Sequence, residues 1–158
     1  MNVLSPGLTP LEEVKKIPGL EFLKGISEGR FPPPPIAHLL GFTLTEVEEG
    51  RALFTGTPDF RLYNPIGSVH GGFSATLLDS ALGCAIFSTL AKGETWTTLE
   101  LKLNFVRGLS NKTGTVRAEG RVSHRGRSVA TSEGDIRDRD GKLYAHATTN
   151  CMIFPAQG

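Results

Sequence analysis

Between His70 and Ala91 the chain runs without a proline and is apolar almost all the way round a helical wheel. Phe73, Leu77, Leu78, Leu82, Ile86, Phe87 and Leu90 leave no wide polar face, which predicts a helix buried on most sides. The stretch approaches the length of a membrane span. Asp79 inside it, with Thr76, Ser80, Ser88 and Thr89, makes a protein core the expected surrounding instead. A chain carrying such a helix must cover it with other elements.

The flanking sequence has the period of strands. Leu99, Leu101, Leu103 and Phe105 alternate with Thr98, Glu100, Lys102 and Asn104, predicting a strand with one buried face. Phe42, Leu44 and Val47 begin an earlier strand, Glu49-Gly50 turns, and Ala52 to Thr57 returns. Turns at residues 111–114 and 124–127 bound strands over Thr115–Ser123 and Ser128–Arg137. Asp140-Gly141 is a strong hairpin signal, and Leu143, Ala145, Ala147, Thr149, Cys151 and Ile153 share one side of the last strand. The order β-β-α-β-β-β-β predicts an α+β fold. About six antiparallel strands wrap around one long central helix, the layout of the hotdog fold.

Ahead of this lies a separable segment. Thr9-Pro10-Leu11-Glu12 reads as a helix N-cap, a first-position proline and a capping-box acid. Pro18-Gly19 ends that helix, a second covers Leu20 to Ser27, and Pro32 to Pro35 form a rigid polyproline connector. Residues 1–33 are expected to be an N-terminal helical extension and connector on the surface, and 34–158 the main domain.

Length and composition narrow the function. A chain of 158 residues with 39% apolar and 21% charged residues is one globular domain with a real core. Lys and Arg number 17 against 16 Asp and Glu, a balance that argues against a nucleic-acid partner. Cys84 and Cys151 make neither a disulfide framework nor a zinc site, and His38, His124 and His146 lack metal-ligand spacing. No metal, cofactor or membrane partner is expected. The N-terminus has no basic start followed by an apolar run, so the expected location is cytoplasmic.

Four places carry candidate chemistry. Asp79 is the only charged residue in the apolar helix: either a working carboxylate or one that reaches solvent at the helix edge. Gly71-Gly72 starts that helix, where unpaired N–H groups stabilise an oxyanion and glycine admits a substrate; the plainer reading is a tight turn. Asn64-Pro65 is a turn starter whose amide could also hold a carbonyl. His70 is a structural hydrogen-bonder or a catalyst, and Cys84 belongs to the core.

Taken together, Asn64-Pro65-Ile66-Gly67-Ser68-Val69-His70-Gly71-Gly72-Phe73-Ser74-Ala75-Thr76-Leu77-Leu78-Asp79 resembles the signature of PaaI-type hotdog thioesterases. The resemblance runs from about Pro34 to Phe154 and includes Leu40-Gly41-Phe42, Thr97-Thr98-Leu99-Glu100-Leu101 and Arg121 to Gly126. It implies an acyl-coenzyme A thioesterase. Asp79 would be nucleophile or general base, the Gly71 N–H the oxyanion donor, and Asn64 the polar group beside the carbonyl or water. His70 would stand among the catalytic residues and Gly72 among those that bind substrate, and Thr98 would help hold water. The site would lie between subunits of a homodimer, in a dimer of dimers. Arg107, Lys112, Arg125 and Arg127 stand at strand ends or turns, as coenzyme A phosphate ligands or as solvated loop charges. The alternative function is a non-catalytic acyl-coenzyme A-binding sensor or scaffold.

Overall fold

The computed structural model describes residues 4–156, so the outermost residues of both predicted segments lie outside the described residues. Its helices are α1 (Leu11–Val14), α2 (Gly19–Ser27), α3 (Pro35–Leu40) and α4 (Gly71–Phe87). Its strands are β1 (Phe42–Glu48), β2 (Arg51–Gly56), β3 (Glu94–Phe105), β4 (Val116–Arg125), β5 (Val129–Asp138) and β6 (Leu143–Pro155). The six strands form one sheet in the order β1-β2-β4-β5-β6-β3, each pair antiparallel. The sheet wraps α4, as the element order predicts.

Close approach of backbones fixes the helix on the sheet. A Cβ on Gly120 would stand 2.4 Å from the Ala81 carbonyl oxygen, so only glycine lets β4 touch α4 there. Beside it the Ser132 hydroxyl donates to the Leu82 carbonyl at 3.1 Å. Leu77, Leu78, Ala81, Leu82, Ala85 and Ile86 are wholly buried against this surface. Helix α4 ends at Phe87, earlier than the apolar run, because the Ser88 and Thr89 hydroxyls bond back to the Ala85 and Ile86 carbonyls and close the last turn. Gly72 and Asp79 are exposed, so α4 has one uncovered stripe. Among the described residues no helix is long and apolar enough to cross a membrane.

Strand β3 departs from expectation. It lies at the sheet edge and pairs only with β6. A bulge between Thr98 and Glu100 breaks the alternation, leaving Leu99 58% and Phe105 61% exposed while Leu101 and Leu103 are half-buried. The alternating side of β6 behaves as read: Ala145, Ala147, Thr149, Cys151 and Ile153 are all buried.

The N-terminal segment is also corrected. Pro10, not Thr9, holds the N-cap position of α1, without a side-chain cap, and the buried Thr9 hydroxyl has no partner. The proline run is extended only as far as Pro34, at φ −65° and ψ 143°; Pro35 opens α3, a position where a missing N–H costs nothing. Nor is the extension a surface appendage. Leu23 is buried, the Gly19 N–H donates to the Leu90 carbonyl at 3.1 Å, and a Cβ on Gly19 would collide with the Phe87 carbonyl oxygen at 1.9 Å. Helix α2 is docked on β1 and the end of α4.

Candidate active site

The start of α4 is built by its own cap. The His70 ring accepts a hydrogen bond at Nδ1 from the Gly72 N–H, at 2.8 Å, and the His70 carbonyl accepts from Phe73 at 3.0 Å. This satisfies two of the donors that a helix start leaves over and puts the remaining imidazole proton on Nε2. The Gly71 N–H has no acceptor among the described residues. It points from the positive end of a long helix, where a developing negative charge is stabilised. Over it lies Phe105, whose ring would be 2.9 Å from a Cβ on Gly71. Gly71, Ser74, Phe105, Val106 and Arg107 share an open cleft of about 400 Å³.

Asn64 holds the loop before this helix. Its Oδ1 accepts from the Ile66 and Ser68 N–H groups at 3.1 and 3.2 Å, and its Nδ2 donates to the Ser68 hydroxyl at 3.1 Å. The turn reading of Asn64 is therefore realised, and one amide proton remains for another partner.

Asp79 stands elsewhere. It is exposed on the open stripe of α4 and reaches solvent in the single chain, which leaves the carboxylate open to a substrate. The Thr98 hydroxyl donates to Asp79 Oδ1 at 3.0 Å, bringing together two residues that the motif reading named separately. Thr98 is set by the sheet: it lies opposite Cys151, Cys151 opposite Ala130, and Ala130 opposite Arg125, one row across four strands. Asp79 and Thr98 line a cleft of about 350 Å³ with Phe42, Phe54, Cys84 and Trp96. Burial pushes the Cys84 thiol up to about 12, with the Asp79 charge adding to it, so this sulfur stays protonated and is no nucleophile. Burial raises the Cys151 thiol too, which donates to the Thr98 hydroxyl oxygen.

Asp79 and Gly71 do not meet within one chain. They are eight residues apart on one helix, which separates them by about 12 Å along its axis. The two clefts share no lining residue.

The cationic candidates divide. Arg107 is exposed at the Gly71 cleft, donates to the Leu143 carbonyl at 2.6 Å and lies 5.9 Å over the Tyr144 ring. Arg125 is half-buried and pairs with Glu94 at 3.0 Å, its head group also donating to the Gly126 carbonyl. It does not project outward beside Arg127, which is exposed, as is Lys112. The partner, Glu94, comes from β3, which turn position alone does not reveal.

Sequence reasoning missed the aromatic walls. Phe105 over Gly71 was read only as part of an alternating strand. Trp96 stacks on Phe87 at 4.2 Å, and its Nε1 would sit 3.2 Å from a Cβ on Gly83. The signal was present: a glycine inside a strong helix costs about 1 kcal/mol against alanine, so Gly83 marks a close neighbour.

Comparison with known proteins adds the family. Residues 66–145, half of the chain, match the family model described as Thioesterase superfamily. A Saccharolobus solfataricus protein named as a candidate esterase is 30% identical over 132 residues, 84% of this chain and 92% of that one. The 1,4-dihydroxy-2-naphthoyl-CoA hydrolase of Listeria monocytogenes is 28% identical over 104 residues, 66% of this chain and 83% of that one. Among solved structures, a phenylacetic acid degradation-related thioesterase from Ralstonia eutropha superposes with a TM-score of 0.75 at 32% identity, covering 83% of this chain and 98% of its own. That likeness bears out the PaaI-type resemblance. The chain belongs to the thioesterase superfamily and is a thioester hydrolase of the hotdog fold.

Proposed function

We propose that the chain is an acyl-coenzyme A thioesterase whose working site is completed between two copies. The observation that carries this reading is the division on α4: an unpartnered Gly71 N–H at one point, and Asp79 held by Thr98 about 12 Å further along the axis. One carbonyl group cannot be reached by both in a single chain. A second copy, related by a twofold axis, would set its Gly71 and Asn64 against the first copy's Asp79. The free edge of β3 supports this pairing. It runs over twelve residues, and Leu99, Phe105 and Val106 are exposed along it and just beyond it. An unpaired apolar edge of that length is a ready surface for strand pairing.

In this reading the Gly71 N–H polarises the thioester carbonyl and stabilises the oxyanion. Asp79 either takes a proton from water, whose hydroxide attacks the carbonyl carbon, or attacks directly to give a mixed anhydride that water then opens. The C–S bond breaks in both routes, and the thiol leaves with a proton. Thr98 fixes the carboxylate, Asn64 offers its remaining amide proton, and His70 and Gly72 hold the helix start in shape. Arg107, beside Gly71, and Arg127 are the cations placed for coenzyme A phosphates. The coenzyme A in the name of the Listeria relative supports that leaving group.

The test is hydrolysis of a panel of acyl-coenzyme A esters by wild type and by Asp79→Asn. The variant is nearly isosteric, so binding of a non-hydrolysable analogue should persist while kcat falls by at least ~10². Single turnover in labelled water separates the routes: a nucleophile takes label into its own carboxylate, and a base sends it straight to product. Binding without turnover in the wild type would make the chain a sensor or scaffold instead.

A further inference from the structure

An apolar cavity of about 370 Å³ lies between the N-terminal extension and the domain, and no step of the mechanism uses it. From the extension and connector it is lined by Leu23, Ile26, Phe31 and Pro33, all outside the residues 66–145 that match the family. From the domain it is lined by Phe42, Phe54 and Cys84, and Pro34 closes the turn between the two. Pro34, Phe42, Phe54 and Cys84 also line the cleft that holds Asp79 and Thr98. One wall is thus common to the carboxylate and to the cavity.

Resting on the thioesterase reading, we infer that this cavity receives the acyl chain of the substrate, and that the extension makes the enzyme selective for aliphatic chains of medium length. A thioester carbonyl held at Asp79 directs its acyl group along the shared wall, and the chain ends against Leu23 and Ile26 of α2. If a methylene fills about the ~30 Å³ of a water molecule, the cavity and its mouth take roughly eight to twelve carbons. Two rim polar groups are already engaged, Ser27 donating to the Lys24 carbonyl at 3.0 Å and Glu28 pairing with Arg30 at 2.9 Å, while Thr43 stands exposed at the rim, away from the apolar end at Leu23 and Ile26. A hydroxylated acyl group would bury its hydroxyl without a partner, which is costly. The aliphatic chain loses nothing there. Phe22, packed at tilted angles between Phe31 at 5.1 Å and Phe87 at 5.9 Å, keeps α2 in place as the far wall.

The experiment is kcat/KM against butanoyl-, octanoyl-, decanoyl-, dodecanoyl- and hexadecanoyl-coenzyme A for wild type, Ile26→Trp and Ile26→Ala. Each methylene that enters the cavity is worth up to about fourfold, so the wild type should gain at least about tenfold from butanoyl to decanoyl and lose again at hexadecanoyl. Ile26→Trp fills the cavity. It should cut the decanoyl value at least about tenfold and leave the butanoyl value within about twofold. The butanoyl rate reports on folding at the same time. Ile26→Ala enlarges the cavity and should move the optimum to a longer chain, which keeps the inference testable if the tryptophan variant does not fold. A flat length profile, or Ile26 variants that lower every substrate equally, would overturn it. If no ester is hydrolysed, the thioesterase reading fails by itself. Calorimetric binding of decanoyl- against butanoyl-coenzyme A then decides the cavity: tighter binding of the longer chain that Ile26→Trp abolishes supports it, and equal binding refutes it.

Discussion

Replacing Thr98 by valine removes one hydroxyl and keeps the side-chain shape. The bond lost is the 3.0 Å donation to Asp79 Oδ1. Hydrogen bonds to charged groups contribute about 1.5–3 kcal/mol net. Asp79 is exposed in the single chain, so water can replace the donor and the contribution falls below that range. The contribution to folding stability should therefore be under ~1 kcal/mol. Its contribution to rate should be larger, because the carboxylate must point at one water or one carbonyl carbon, and a freely rotating carboxylate does so for a small part of the time. A loss of about 1.5 kcal/mol in the transition state is roughly tenfold in kcat. The neighbour that valine's new methyl meets is the Cys151 sulfur, now 3.9 Å from the hydroxyl, a contact that tolerates a methyl group. The assay is kcat and KM on one acyl-coenzyme A ester for Thr98→Val and Thr98→Ser, with thermal unfolding of both. The expected result is a kcat down about tenfold for valine with KM little changed, and recovery by serine, which restores the donor. Wild-type kcat in a folded Thr98→Val protein would refute the orienting role. A serine variant as slow as the valine one would show that the methyl group, not the hydroxyl, matters.

Other consequences follow from the same geometry. Gly120→Ala drives a Cβ to 2.4 Å from the Ala81 carbonyl oxygen, and since backbone cannot swing away the cost should be about 2 kcal/mol or more, read as a fall in Tm of roughly 5 °C or more. Leu99→Lys with Phe105→Lys places charge on the free β3 edge; sedimentation should show the assembly reduced to monomers, with activity lost alongside. Burial works to raise the Glu119 carboxyl, but the Arg51 guanidinium at 2.8 Å, helped by Arg121, outweighs it and holds the group below its usual range. A depressed carboxyl stabilises the fold above its unfolded value and loses that contribution as pH falls through the folded one. Glu119→Gln should thus lower stability near neutrality by about 1 kcal/mol or less, given its partial exposure, with the difference from wild type closing in acid by chemical denaturation at a series of pH values.

The fold was legible because its periods are unambiguous. The apolar run after His70 admits only a helix that something covers, and Leu143 to Ile153 alternates so strictly that its buried side is fixed before any partner is known. What failed was local and had physical causes. The alternation of β3 predicts one face covered throughout, whereas at this edge strand with a bulge at Leu99 the cover is partial: Leu101 and Leu103 pack against the core, and Leu99 and Phe105 face outward. The proline run was read as an extended rod, yet a proline at the first helical position favours a helix as readily, and Gly41 in the left-handed region ends it after one and a half turns.

The members of the site were legible, and the resemblance already implied a site divided between subunits; its physical reason lies in helix geometry. Asn64, His70, Gly71 and Asp79 stand within one stretch of sequence, which invites the picture of one cluster. Helix geometry forbids it: the rise that makes α4 long enough to cross the sheet also carries Asp79 away from the helix start. Sequence proximity and chemical proximity diverge along a helix, and the residue Asp79 does touch, Thr98, comes from a strand at the far edge of the sheet. The same reasoning explains why the extension was undervalued. Its apolar residues, Leu23 and Ile26, are too few to signal a core of their own. They acquire meaning only when β1 and α4 supply the other wall, and that wall is the one Asp79 uses. A short amphipathic helix beside a domain should therefore be judged by the apolar surface it could finish, and here that surface leads to Asp79.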